Sequence, residues 1–306
     1  MSASQPPSAD FMNQLMLQNP PKSPLEMRSM LDGFAPLMNG ELPEVGGFHE
    51  AVPVREGVTA DVVVPKGAGP HPVLVYLHGG GWVCGSPKTH RKLGYRFAEA
   101  GHLVFNVDYR LAPEHPFPTP FEDCLAAVRF AHREAKRFGG DPARLAIGGD
   151  SAGGNLSAAV AAAPAGDAAR PKAALLIYGV YDFRMFQGEL PAFASASREA
   201  VALGRELVEM MVGAYLGKTR SETLLRDPRV SPLFAAEKLP PSHVMVGSAD
   251  DLAPQSEALA KALAKAGVPH EHFVDAGMPH GYAQMEFLPA TRPALERMLA
   301  FLRKHL

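Results

Sequence analysis

Residues 145–154 read Leu145-Ala146-Ile147-Gly148-Gly149-Asp150-Ser151-Ala152-Gly153-Gly154. A short apolar run enters a glycine-flanked serine, and an alanine-rich stretch follows. Gly-x-Ser-x-Gly between a strand and a helix is the pattern of a nucleophile elbow. The turn is tight, so small residues must flank the serine, and glycine accepts the dihedrals such a reversal imposes. The hydroxyl then stands at the C-terminal edge of a sheet. Beside it lies a helix N-terminus whose N–H groups favour developing negative charge. A glycine-rich structural turn is the alternative, and the strand–turn–helix context argues against it. Ser151 is therefore the expected nucleophile.

Upstream, His78-Gly79-Gly80-Gly81-Trp82 follows the apolar run 73–77. Three glycines expose backbone N–H groups without side-chain obstruction, and such donors can stabilise the oxyanion of a tetrahedral intermediate. A phosphate-binding loop would need Gly-Lys-Ser/Thr, which is missing here. A serine hydroxyl also needs a base to take its proton and an acid to orient that base. On this kind of scaffold the chain order is Ser, then Asp or Glu, then His. Five histidines follow Ser151: His243, His270, His272, His280 and His305. His243 begins a strand, His270 and His272 begin the next one, and His305 sits in the terminal helix. His280 lies in Gly277-Met278-Pro279-His280-Gly281-Tyr282, a loop after a strand, and is the expected base. The His270/His272 pair has no Cys or acidic cluster beside it, so no metal site is expected. The acid should end the strand at 243–246, where Asp250 and Asp251 stand side by side. Asp250 is the expected acid. Asp251 is the alternative, unless it caps the following helix with Pro254 in its first turn.

Working outward, strands are expected at 49–54, 58–64, 73–77, 102–107, 145–148, 174–178, 243–246 and 272–274. Helices are expected at 88–100, 121–138, 152–162, 255–266 and 291–304. The strands are continuous apolar runs, as strands buried on both faces are, and parallel neighbours need crossover helices. This predicts an α/β architecture, a mostly parallel central sheet with helices on both faces. Residues 183–225 carry no strand signal and an amphipathic helix at 198–215, and an insertion of that length is usually functional. The first forty-odd residues predict two short amphipathic helices around Asn19-Pro20-Pro21, either an arm packed on the core or a lid.

Composition narrows the rest. The 306 residues are 46% hydrophobic with a net charge of -2, which supports a sizeable core and gives no basic excess for nucleic acid or anionic membrane. Two cysteines, Cys84 and Cys124, are too few for a disulfide scaffold. Residues 1–14 lack a positive n-region followed by an apolar core, so the expected location is the cytoplasm. No apolar run is long enough to span a membrane.

With these residues in place, the chain resembles the hormone-sensitive-lipase family of α/β-hydrolases, in its bacterial carboxylesterase branch. The resemblance rests on residues 78–81, 108–118 (Asp108-Tyr109-Arg110-Leu111-Ala112-Pro113-Glu114-His115-Pro116-Phe117-Pro118) and 149–154, with Asp250 and His280 suitably spaced. It extends from about Gly47 to the C-terminus. It implies an α/β-hydrolase fold with a catalytic unit at 46–306 and a helical cap from 1–45 and 183–225. It implies Ser151, Asp250 and His280 as a triad, and the N–H groups of Gly80, Gly81 and Ala152 as an oxyanion hole. His78 would then support its loop. The implied substrate is a small ester of short to medium acyl chain, with no cofactor and no metal, and with a homodimer left open. In one respect the chain departs from the family pattern Asp-x-Leu-x-Asp. It reads Asp250-Asp251-Leu252-Ala253-Pro254, without the second acid. A non-catalytic ligand-binding receptor on the same fold, or a hydrolase of amide or lactone bonds, are the alternative functions.

Overall fold

The computed structural model describes residues 17–163, 167–187 and 198–306. Among them, eight strands form one sheet: β1 (Gly47–Arg55), β2 (Val58–Val64), β3 (His71–Leu77), β4 (Leu103–Asp108), β5 (Gly140–Asp150), β6 (Ala173–Ile177), β7 (Ser242–Gly247) and β8 (His270–Asp275). Their order is β1-β2-β4-β3-β5-β6-β7-β8. β2 pairs antiparallel with both β1 and β4, and all other pairs are parallel. The side chains alternate between two cores. Val73, Val75 and Leu77 point to one face, and Leu74 and Tyr76 to the other.

Helices cover both faces, as parallel strands require. Helices α3 (Thr119–Glu134), α4 (Ala152–Ala161) and α7 (Ala253–Ala266) pack on the first core through Phe121, Cys124, Leu156, Leu259 and Leu263. Helices α2 (Arg91–Glu99) and α8 (Thr291–His305) pack on the second through Phe97, Met298 and Phe301. The expected helix at 88–100 starts only at Arg91, because Thr89 Oγ1 folds back on Ser86 and holds a turn there. The expected helix at 121–138 starts at Thr119 and becomes a 3₁₀ turn, Ala135–Phe138, which Gly139 ends at φ 80°. β5 is longer than expected, because Gly140–Arg144 extend it although they carry no apolar run.

Of the two expected N-terminal helices, the second is α1 (Pro24–Asn39), and the one around Phe11–Met16 lies outside the described residues. Ser23 caps α1 by accepting from Glu26 N at 3.2 Å, and Pro24 opens it. Between β6 and β7 the described residues hold no strand, and the main helix there is α5 (Arg198–Leu216). No helix among the described residues is long and apolar enough to cross a membrane.

Two registers position the loops at the C-terminal edge. Leu77 of β3 pairs with Gly149 of β5, so the glycine loop and the elbow leave the sheet side by side. The chain order reverses around these strands, and that is where open α/β sheets open a crevice. Farther along, Gly247 of β7 pairs with Asp275 of β8, so the loops bearing Asp250 and His280 also start level.

Candidate active site

Ser151 sits between β5 and α4 at φ 55°, ψ -118°, a conformation that L-residues rarely adopt. Strain of this kind persists only where the surroundings over-determine it. Here Ser151 N donates to Ile177 O at 2.9 Å and Ser151 O accepts from Asn155 N at 3.0 Å. Gly153 lets the helix approach the neighbouring strand, since a Cβ there would run into the carbonyl oxygens of Leu77 and His78. The glycine flank of the serine is thus a packing requirement as well as a dihedral one.

The structure brings Ser151, His280 and Asp250 into one hydrogen-bonded line. His280 Nε2 lies 2.9 Å from Ser151 Oγ, and His280 Nδ1 lies 2.7 Å from Asp250 Oδ2. The ring packs against Tyr178, just past the end of β6, tilted by 60° with centroids 4.9 Å apart. Packing around the ring opposes protonation of His280. The charge and hydrogen bond of Asp250 outweigh it, so the net shift is above the ordinary value of 6.5. The Asp250 side chain is buried, and its second oxygen accepts from Leu252 N at 2.8 Å. Asp251 does neither job. The residue before α7 is Leu252, with no side-chain cap, so the expectation that Asp251 caps this helix is corrected: the Asp250 carboxylate already holds that turn. Partial burial and the neighbouring Asp250 push the Asp251 carboxyl up to about 6.

The glycine loop lies against Asp150, the residue before Ser151, with Gly79 N donating to Asp150 Oδ1 at 3.1 Å. Gly80 has φ 120°, and a Cβ on it would collide with the Cys84 carbonyl. The N–H groups of Gly80 and Gly81 meet no acceptor among the described residues, and Ala152 N–H is the first of α4, where no intrahelical acceptor exists. These three N–H groups have no hydrogen-bond acceptor among the described residues. Behind them, His78 is fully buried, stacked on Tyr109 at 4.3 Å, with Nδ1 2.8 Å from Gly79 O. Burial pushes its pKa down to about 3, so it stays neutral and supports the loop. Burial also pushes the Cys84 thiol up to about 12, which leaves it a small apolar filler rather than a nucleophile.

Residues of α5, of the segment before it and of α1 contact this loop and the chain beside it. Met211 of α5 packs on Gly81, and Tyr215, one turn on, stacks flat on Trp82 at 4.8 Å. Phe183 and Phe186 extend the aromatic wall. Arg28 of α1 donates to Val83 O (2.6 Å) and Ala112 O (2.8 Å) and forms a bidentate pair with Glu114. The role of Arg28 carries no local signal in the sequence. Its partners lie 55 to 86 residues away. Asp123 pairs with the Arg110 guanidinium and accepts from the Arg110 backbone N–H. Among the described residues no three His, Cys, Asp or Glu side chains could hold a metal ion.

A family model described as the α/β hydrolase fold matches residues 74–284. A carboxylesterase of Mycobacterium tuberculosis, NlhH, is 35% identical over 239 residues, covering 77% of this chain and 74% of its own. An ethyl acetate hydrolase of Pseudomonas putida is 33% identical over 76% of this chain and 73% of its own. Among solved structures, a hyperthermophilic esterase from the archaeon Pyrobaculum calidifontis superposes with a TM-score of 0.82 at 28% identity, over 98% of this chain and 99% of that one. An esterase of the bacterial hormone-sensitive lipase family gives 0.77 at 32% identity, over 99% of each. The chain belongs to the α/β-hydrolase-fold family, in its hormone-sensitive-lipase branch.

Proposed function

We propose that this chain is a serine carboxylesterase acting on esters of short to medium acyl chains. The observation that carries the reading is the unbroken line Ser151 Oγ–His280–Asp250 at 2.9 and 2.7 Å. His280 takes the Ser151 proton as the oxygen attacks the ester carbonyl. Asp250 holds the proton on Nδ1 and supports the imidazolium that forms. The N–H groups of Gly80, Gly81 and Ala152 receive the oxyanion. The tetrahedral intermediate collapses, His280 returns the proton to the alkoxide, and the alcohol leaves. Water, activated by the same ring, then cleaves the acyl-enzyme and restores Ser151. The names of the M. tuberculosis and P. putida relatives agree with this chemistry. A receptor on the same fold would not need the line from Asp250 to Ser151.

Residues 46–306 form the catalytic unit in this reading, and 1–45 with 183–225 form a cap. Met211, Phe183 and Phe186 favour a short pocket. Each added methylene gains burial of about 0.8 kcal/mol only while there is room beneath them. Beyond that it displaces side chains or stays in water. The substrate is a small molecule, and the expected location is the cytoplasm. A series of p-nitrophenyl esters from acetate to palmitate tests the reading, with Ser151→Ala beside the wild type. Butyrate should outrun palmitate, and Ser151→Ala should lose nearly all turnover. Faster palmitate hydrolysis refutes the short pocket, and near-normal turnover of Ser151→Ala refutes the nucleophile.

A further inference from the structure

The loop that carries His280 leaves the sheet after Asp275 and is held unevenly. Its first half is tied to the loop after β7, through Gly277 N to Ser248 Oγ (2.8 Å) and Ala249 N to Met278 O (3.1 Å). Its second half turns at Gly281, φ 81°, into the short 3₁₀ segment Tyr282–Gln284. The Gln284 carboxamide has two hydrogens, and each has an acceptor. One faces Asp150 Oδ2 at 3.1 Å and the other faces His90 Nε2 at 2.7 Å. His90 can then donate from Nδ1 to Thr89 Oγ1 at 2.7 Å. Asp150 is buried and immediately precedes Ser151. Its other oxygen accepts from Tyr76 Oη at 2.8 Å and from Gly79 N at 3.1 Å. One buried carboxylate therefore fastens the elbow, the glycine loop and, through Gln284, the histidine loop.

We infer that Gln284 is a positioning residue, which through Asp150 and His90 fixes the loop bearing His280 against the elbow bearing Ser151. The inference rests on the esterase reading and goes beyond it, because Gln284 touches neither the substrate nor the reacting atoms. The His280 side chain is 43% exposed, so little packing covers its outer side. Without Gln284 the second half of its loop loses its side-chain hydrogen bonds to the elbow. Asp150 Oδ2 also loses a donor in a buried place, where such losses are felt most. Proton transfer between Ser151 and His280 depends on a separation near 3 Å, and a misplacement of about 1 Å can cost on the order of a hundred-fold.

The test compares wild type, Gln284→Ala, Gln284→Met, Asp150→Asn and the double variant Gln284→Ala/Asp150→Asn. Two readouts are used, steady-state hydrolysis of p-nitrophenyl butyrate and the rate at which an aryl alkylphosphonate labels Ser151. For Gln284→Ala, kcat should fall about 5- to 30-fold with KM within about twofold, and labelling should slow by a similar factor. Gln284→Met keeps the side-chain length without the donors, should behave alike, and serves if the alanine variant does not fold. The double variant should be little worse than Asp150→Asn alone, since both changes break one network. A folded Gln284 variant with wild-type kcat and labelling overturns the inference, as does fully multiplicative loss in the double variant. A raised KM at unchanged kcat also overturns it, because Gln284 would then be a substrate contact. Turnover that survives Ser151→Ala would instead overturn the esterase reading, and this inference with it.

Discussion

Asp250→Asn is the sharpest perturbation available, because the geometry dictates which way the new amide must face. Leu252 N donates to Asp250 Oδ1 at 2.8 Å, so the asparagine must leave its oxygen there. Its NH2 group then faces His280 Nδ1 across the 2.7 Å contact. Two donors cannot share that space, so the ring must become an acceptor at Nδ1 and carry its proton on Nε2. Nε2 is the atom 2.9 Å from Ser151 Oγ, and in that tautomer it cannot take the serine proton. Loss of the correct tautomer and of the charge behind it costs about 10⁴-fold in kcat for triads of this kind. That corresponds to about 5.5 kcal/mol of transition-state stabilisation. Asp251→Asn should stay within about threefold of wild type, because Asp251 holds neither the ring nor the helix. Steady-state hydrolysis of p-nitrophenyl butyrate near neutral pH measures both variants, with circular dichroism verifying that each is folded. A loss below tenfold in Asp250→Asn, or a larger loss in Asp251→Asn, refutes the assignment of the acid.

Acidification should switch the enzyme off earlier than a free imidazole would. The shift of His280 is upward, so the ring stays protonated, and useless as a base, to a pH above 6.5. The acid limb of kcat/KM between about pH 5 and 9 should therefore have its midpoint above 6.5, and a midpoint below that value contradicts the Asp250–His280 pairing. Asp251→Asn should raise stability slightly at pH 8. A carboxyl raised to about 6 in the folded state is penalised once ionised, and the gain should vanish as pH falls below about 4. Equal thermal midpoints at pH 8 would contradict this. Arg28→Ala should cost about 1–3 kcal/mol in urea denaturation, because two backbone carbonyls lose a charged donor. Glu114→Gln should cost much less, since that carboxylate is exposed, and the reverse ranking would show that the ion pair rather than the carbonyl contacts holds α1.

Much of the fold was legible because its signals are local. Apolar runs such as 73–77 and 174–178, short and rich in β-branched and aromatic residues, read as strands buried on both faces, and the glycines around Ser151 mark a turn that few other residues can make. The order of loops then pointed to Asp250 and His280, and the structure sets them in one line with Ser151. The parts that escaped depend on partners far along the chain. Gln284 meets Asp150 across 134 residues and His90 across 194, and no periodicity or spacing announces such a meeting. Element ends escaped for the opposite reason. The first half of β5 is anchored to β3 only where Gly140 pairs with His71, and the register breaks between there and Leu145, so Asp141, Pro142 and Arg144, which carry no strand propensity of their own, gave no strand signal. Of the two adjacent acids, Asp250 is the one whose carboxylate meets both His280 Nδ1 and Leu252 N, contacts that no local pattern in the sequence announces.

Trp82 is the chain's one tryptophan, and its position makes it an optical probe of α5, which the proposed cap includes. Its indole lies flat on Tyr215, 5° from parallel, while its Nε1 donates to Asn155 Oδ1 in the helix behind the nucleophile. One face of the chromophore thus reads α5 and one edge reads the core. Lifting α5 would uncover the face to water and leave the edge bonded. Intrinsic emission excited at the red edge, free of any second tryptophan, should then shift to longer wavelength. Movement of α5 could be timed by stopped flow on the unlabelled protein, and compared directly with the rate of ester turnover.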